Sequence, residues 1–267
     1  MCIRDRISTL QEKLFCTLGE NVTTVRVRGD FDACQSLVKQ AFADTDFKEQ
    51  NGLISANSIN VARLIAQICY YGYASLRFAR PVTIAVPSGN FGNVTAGLMA
   101  RAMGFPIAHL IAATNENDTV PRFMEQGTWA PNATVPTLSN AMDVANPNNF
   151  ARVLHLDKAH GQKLHEAVSS VHIPEEEATR TVARLHQSGY LTEPHGAIGY
   201  TALDSVSDGP CAFLGTAHPA KFADAVEKIT GQPPDVPPRL AEYADRPLLS
   251  QTIPPESDLL RKILVES

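Results

Sequence analysis

The amino-acid sequence predicts an α/β fold on a largely parallel sheet with flanking helices. Two observations carry this. Segments of strand character alternate with segments of helical period, the pattern of parallel strands joined by crossover helices. One short apolar run, Pro81-Val82-Thr83-Ile84-Ala85-Val86-Pro87, also has the composition of a buried parallel strand. In such folds ligands collect where strands end and helices begin.

Residues 21–27 are rich in β-branched side chains and read as a strand. Asp30 is placed to cap the next helix, where Phe31, Cys34, Val38, Ala41 and Phe42 share one face. A second helix is expected from about 58 to 73, with Val61, Leu64, Ile65 and Ile68 in period and capping oxygens on Asn57, Ser58 and Asn60. Tyr70 and Tyr71 at its end read as packing residues. After the strand at 81–87 come Ser88-Gly89-Asn90-Phe91-Gly92-Asn93 and a helix over 94–103, ended by Gly104. Residues 107–113 form another strand. Asp118 caps a short helix closed near Gly127, and Asn115 reads as a turn residue. The stretch 127–149, rich in Asn, Pro and Thr and poor in period, reads as loop.

Pro174 followed by Glu175, Glu176 and Glu177 opens a helix at the end its dipole makes favourable for carboxylates, and Gly189 ends it. Pro194 begins another helix, 211–215 is a strand, and 219–230 is a helix stopped by Gly231. The proline-paired tail is expected to wrap the surface before a last helix over 258–265.

A chain of 267 residues suits one large domain or two small ones. Hydrophobic residues at 44% and charged residues at 19% argue against disorder. A net charge of -5 leaves no electrostatic footprint for nucleic acid or an anionic membrane. Five cysteines with no C-x-x-C argue against a disulfide framework or thiolate zinc site and point to a reducing cytoplasmic compartment. Eight histidines show no metal-binding spacing, so no metal is expected. No apolar run reaches membrane-spanning length, and no apolar stretch of the signal-peptide kind follows Met1 to Arg6.

The most informative element is Ser88 to Asn93. Two glycines allow positive φ and close backbone approach, and the helix that follows presents unpaired N–H groups. A phosphate held by backbone N–H groups is one reading; a glycine-rich turn with no ligand is the other. It is neither a Walker loop nor G-x-G-x-x-G. Asn57, Ser58, Asn60 and Arg63 form a polar cluster in which Asn60 and Arg63 share a helix face. They read either as a phosphate-binding group or as a capping cluster beside a surface arginine. Thr216, at a strand-to-helix turn, reads as a helix cap. His195 and His218 each flank a helix start next to proline.

Ser88-Gly89-Asn90-Phe91-Gly92-Asn93 resembles the cofactor-phosphate loop of the threonine synthase family. Other stretches agree in order: Leu10-Gln11-Glu12-Lys13-Leu14, Asn57-Ser58-Ile59-Asn60 with Arg63, and Ala112-Ala113-Thr114-Asn115. So do Leu138-Ser139-Asn140-Ala141-Met142-Asp143-Val144 and Gly215-Thr216-Ala217-His218-Pro219-Ala220-Lys221-Phe222. The resemblance implies a pyridoxal 5'-phosphate enzyme of the tryptophan synthase β-like fold (fold type II). It implies that Ser88, Gly89, Asn90, Phe91, Gly92 and Asn93 hold the cofactor phosphate and that Thr216 bonds the pyridine nitrogen. Asn93 stands where relatives often carry Asp. The small-molecule substrate would be O-phospho-L-homoserine, converted with water to L-threonine and phosphate, with Asn57, Ser58, Asn60 and Arg63 as candidate substrate contacts.

Two family features have no counterpart: the Schiff-base lysine and the Gly-Asp-Thr-Gly-type loop that grips the substrate carboxylate. Lys13 and Lys221 match other family positions, so no catalytic residue is assigned. The resemblance therefore implies an N-terminally truncated chain. Residues 8–50 would be what remains of a small domain, and 51–267 the later part of a large cofactor domain. A related pyridoxal-phosphate phospho-lyase and a non-catalytic cofactor- or phosphate-binding remnant remain as alternatives, and monomer and homodimer stay open.

Overall fold

The computed structural model describes residues 2–3, 9–17, 19, 21–29, 31–58, 60–159, 161 and 164–266. Asp30, expected as a cap, lies outside them. In chain order the elements begin with β1 (Cys2–Ile3), α1 (Thr9–Cys16), β2 (Val25–Val27), α2 (Phe31–Ala43), α3 (Thr45–Gln50) and α4 (Val61–Ser75). Next come β3 (Val82–Pro87), α5 (Gly92–Ala102), β4 (Ile107–Thr114), α6 (Thr119–Gln126), α7 (Phe150–Ala159) and α8 (Leu164–Ala167). The chain continues with β5 (Val168–His172), α9 (Glu175–Gln187), α10 (Pro194–Thr201), β6 (Cys211–Phe213) and α11 (Ala223–Thr230). It closes with α12 (Pro238–Ala241), β7 (Gln251–Ile253) and α13 (Ser257–Glu266).

The chain divides into two compact units, one of residues 1–54 with 235–267 and the other of residues 55–234. The C-terminal stretch does not follow the expected grouping with 51–234. β7 pairs in parallel with β2, Val27 opposite Ile253, and β1 pairs with the other edge of β2. α13 places Leu260 against Val25, Val27, Cys34, Leu37 and Ile253, a small core of its own. Arg261 adds an ion pair to Asp44 at 2.7 Å. Strand pairing and a shared core outweigh nearness in sequence.

In the second unit four parallel strands lie in the order β5-β4-β3-β6. The strand period of two sorts their side chains. Val82, Ile84, Val86, Leu110 and Ala112 join Leu64, Ile68, Tyr71, Val94 and Leu98 of α4 and α5 in one cluster. Ala85, Ile111 and Ala113 join Ala178 of α9 and Ile198 of α10 in another. The sheet is thus buried on both faces, as its apolar runs predicted. Each fully buried Val, Leu or Ile contributes about 1.5–3 kcal/mol relative to exposure. α4 and α5 pack closely because position 97 is glycine: a Cβ there would stand 2.8 Å from the Tyr71 ring.

α4 has a second apolar face. Leu64, Ile68 and Tyr71 are buried, whereas Val61, Ile65, Tyr73 and Leu76 are exposed. α7, α8 and β5, within 150–172, have no counterpart in the sequence reading. Val-Ser-Ser-Val-His is the edge strand of the sheet, and its polar centre carries no apolar run.

Candidate functional site

The chain runs from β3 through β4 to β5 on one side, then returns to place β6 against the other side of β3. This reversal makes β3/β6 a topological switch point, where loops leaving neighbouring strands diverge and leave a crevice. Residues 88–93 leave β3 there, and 214–218 leave β6. The two strands are in register, Ala85 opposite Phe213, and the Leu214 N–H donates to the Ala85 carbonyl at 3.0 Å.

Ser88 is buried. Its N–H donates to the Ala113 carbonyl at 2.8 Å and its hydroxyl to the Val86 carbonyl at 2.6 Å, which bends the loop away from β3. Phe91 occupies the N-cap position of α5 with φ 59° and ψ 11°, in the left-handed region that disfavours side chains. Burial holds it there. Its ring meets Phe150 edge-on at 5.5 Å, and Phe123 and Trp129 complete the aromatic cluster. No side chain caps α5, so its first-turn N–H groups are available to an anion. The loop carries neither carboxylate nor basic side chain.

The glycines serve chain packing. A Cβ on Gly89 would lie 2.7 Å from the Met142 Cα, so residues crossing the loop require glycine there. A Cβ on Gly92 would lie 3.3 Å from Asn149 Nδ2 and 3.3 Å from a methyl of Leu64. Asn93 does not cap the helix. It sits inside the first turn, and its Oδ1 accepts from the hydroxyls of Tyr70 and Tyr71, the latter at 2.8 Å. The two tyrosines therefore bond as well as pack. Burial pushes the Tyr70 phenol up to about 12, opposed by the nearby Arg63 charge. Burial, with a smaller push from Tyr70, raises Tyr71 well above its ordinary value.

Of the four expected substrate contacts, the structure brings Ser58 to the loop. Its Oγ accepts from Asn149 Nδ2 at 3.1 Å, and that same amide donates to the Asn90 carbonyl at 3.0 Å. Asn60 caps α4, its Oδ1 accepting from the Ala62 N–H at 3.0 Å. Asn57 is spent locally on the Ser58 N–H. Arg63 is exposed, with a long 3.5 Å contact to the Ala56 carbonyl.

The stretch 135–149, read as loop, is mostly irregular but firmly held. Asp143 is 6% exposed and accepts from the Thr137 N–H at 3.1 Å, the Thr137 hydroxyl at 2.7 Å and Asn115 Nδ2 at 3.0 Å. Asn115 Oδ1 accepts from the Asn117 N–H, and Asn117 holds both N–H and carbonyl of Val135 through its own side chain. Asn115 is thus a hub rather than a simple turn residue. Asp118 stands at the cap position of α6 but makes no cap bond; its carboxylate takes Arg122 Nε at 2.8 Å instead.

Asn149 completes the join, its N–H donating to the Asn90 carbonyl at 3.3 Å while Asn90 Oδ1 accepts from the Asn148 N–H at 2.7 Å. Sequence reasoning missed Asn149 and Asp143 as site-building residues. The only signal was an unusual density of short polar side chains.

His195 is buried at the same edge. Its Nε2 accepts from the Ala141 N–H at 3.2 Å, which places its proton on Nδ1, bonded to the Glu193 carboxylate. Glu193 caps α10 by accepting from the N–H groups of His195 and Gly196. Thr216 is exposed beyond the end of β6 and is not a cap: His218 takes that role, its Nδ1 accepting from the Ala220 N–H at 3.2 Å.

A parallel α/β sheet with an uncapped helix N-terminus at its switch point defines a class of proteins that hold an anionic cofactor there. The chain belongs to the family of pyridoxal-phosphate dependent enzymes, whose profile matches residues 4–212. Residues 196–264 match the C-terminal family of threonine synthase. The threonine synthase of Escherichia coli (strain K12) is 52% identical over 268 residues, covering 98% of this chain and 62% of that protein.

Its crystal structure superposes with a TM-score of 0.93 at 50% identity, covering 99% of this chain and 64% of the other. Pyridoxal-phosphate-bound threonine synthase from Brucella melitensis gives 0.87 at 32% identity over 99% of this chain. The architecture is that of fold-type II enzymes of this family. The chain spans about 62% of the length of the curated relatives it matches. The loop fits the phosphate of such a cofactor, with an open helix terminus, a left-handed residue at the turn and no acidic side chain.

Proposed function

We propose that this chain supplies the cofactor-phosphate site and most of the large domain of a threonine synthase. That enzyme would convert O-phospho-L-homoserine and water to L-threonine and phosphate in the cytoplasm, as a step of threonine biosynthesis. The observation that carries the reading is the 88–93 loop opening onto the uncapped N-terminus of α5 beside β6. Pyridoxal phosphate, when bound, supplies an electron sink that stabilises negative charge on the substrate carbons.

The backbone N–H groups of Gly89 to Asn93 would hold the phosphate, with Ser88 setting the bend. Asn93, tied to Tyr70 and Tyr71, keeps negative charge out of the first turn. Thr216 would bond the pyridine nitrogen, where a hydroxyl would leave that nitrogen unprotonated. Asn57, Ser58, Asn60 and Arg63 are the candidate contacts for the substrate phosphate, and the bond of Ser58 to Asn149, which also holds the loop, supports Ser58 among them. No lysine here takes the Schiff-base position, so the chain alone is expected to lack turnover.

The test is a fusion of this chain behind the part of the Escherichia coli relative that the match leaves uncovered. The fusion should release threonine and phosphate from O-phosphohomoserine, and the chain alone should not. The chain alone should still bind pyridoxal 5'-phosphate at least about tenfold more tightly than pyridoxal. A fusion that folds and binds the cofactor yet makes no threonine would sink the activity. Equal affinity for pyridoxal and its phosphate would remove the loop from the site.

A further inference from the structure

At the far end of α5 from the loop, a cavity of about 150 Å³ opens between α5, α7 and α8. Its α5 wall runs from about 8 Å (Leu98) to about 12 Å (Arg101) along the helix from Asn93, and it shares no lining residue with the 88–93 loop, so it is separate from the proposed cofactor site. Leu98, Leu156, Leu164 and Ala167 make its apolar wall, and Arg101 and Asp157 supply charge. Leu98, Leu164 and Ala167 are buried members of the main core cluster, so the wall is fixed by packing.

The two charges are opposite and half-buried, yet among the described residues no ion pair joins them. Arg101 Nε is buried without a hydrogen-bond partner. Asp157 commits one oxygen, Oδ1, to the Leu164 N–H at 2.6 Å. Asp157 sits in the last turn of α7, where the helix dipole favours a bound cation such as an ammonium. A buried polar atom without a partner is costly, and a cavity edged by an arginine whose Nε lacks a partner and a carboxylate with one oxygen uncommitted is matched by a ligand carrying both charges.

We infer that this cavity binds a free α-amino acid with a compact aliphatic side chain. The α-carboxylate meets the Arg101 guanidinium, the α-ammonium meets the Asp157 carboxylate, and the hydrocarbon lies against the three leucines and Ala167. A simple carboxylate or amine answers one charge and strands the other. The size sets the side chain: an apolar cavity of about 150 Å³ accommodates a benzene-sized group, which suits a branched C4 side chain and not an indole. The inference does not depend on the proposed activity.

The whole chain is titrated with L-leucine by calorimetry and saturation-transfer NMR, with isovalerate and isopentylamine as half-ligands. L-Leucine should saturate at a Kd of about 1 mM or below, with each half-ligand at least about tenfold weaker. Arg101→Gln and Asp157→Asn should each weaken leucine by about tenfold. Asp157→Asn keeps an acceptor for the Leu164 N–H and so leaves the fold intact. Ala167→Leu fills the cavity, leaves both charges in place and should abolish binding; should it fail to fold, the two charge variants decide. Saturating inorganic phosphate should leave leucine binding unchanged. Absence of saturable binding up to about 20 mM, unaltered affinity in both charge variants, or displacement by phosphate would each overturn the inference.

Discussion

Residues 88–93 and 135–149 touch one another along the C-terminal edge of the β5-β4-β3-β6 sheet, and they are ordered by different means. The first is short and held by its own flanks: β3 delivers it, α5 receives it, and Phe91 fixes its turn by burying a ring. The second has almost no regular backbone. It keeps its shape through side chains remote in sequence, with Asn115 reaching Asp143 and Ser139, and Glu175 accepting from the Leu138 N–H at 2.7 Å. A loop between two regular elements inherits its geometry from them. A long crossing segment must carry its own buried polar network, and each member is then costly to remove.

That contrast can be broken most severely at the point of contact. Gly89→Val should unfold the chain or cost roughly 3 kcal/mol or more in urea denaturation, because the new Cβ meets the Met142 backbone rather than a flexible side chain. Recovery of wild-type stability would mean that 140–142 does not cross the loop. Asp143→Ala should cost about 2–3 kcal/mol by stranding the Thr137 and Asn115 donors, while Asp143→Asn should lose less. Both variants should leave α5 protected in hydrogen exchange while exposing 135–143, since α5 is held by its own packing against α4 and the sheet.

His195→Leu should cost about 1–2 kcal/mol, since it frees the Ala141 N–H and leaves the Glu193 charge short of a donor, and His195→Gln should restore part of the loss. A pH titration sharpens the comparison from the loop's side. Tyr70 and Tyr71 have phenols raised by burial, so the folded chain holds protons that the unfolded chain releases. The stability that Tyr70 contributes is complete below about pH 10 and is lost as pH rises through about 12, with Tyr71 holding its proton to still higher pH, and Tyr70→Phe should flatten that loss. The smallest effect belongs to the outer face of α4. Ile65→Lys and Leu76→Lys should change stability by no more than about 0.5 kcal/mol while raising solubility, as read by light scattering.

The sequence by itself determined the parallel α/β character, the strands over 81–87 and 107–113, each within a residue of the observed bounds, the helices around them and the strand–loop–helix at 88–93. These are local statements: a period of two or 3.6, a cap, a glycine. It also placed Asn60 as a cap and Tyr71 as a packing residue of the core, because capping and burial leave marks within one helix. Only the tertiary structure decided that β7 belongs with β2, that Asp143 and Asn149 build the site, and that Asn93 bonds to two phenols instead of capping its helix. It likewise gave the capping role beside Thr216 to His218. Each of these depends on which residues, distant in the chain, come to share one small volume, and a buried polar side chain takes its role from the partner it meets there rather than from its sequence neighbours.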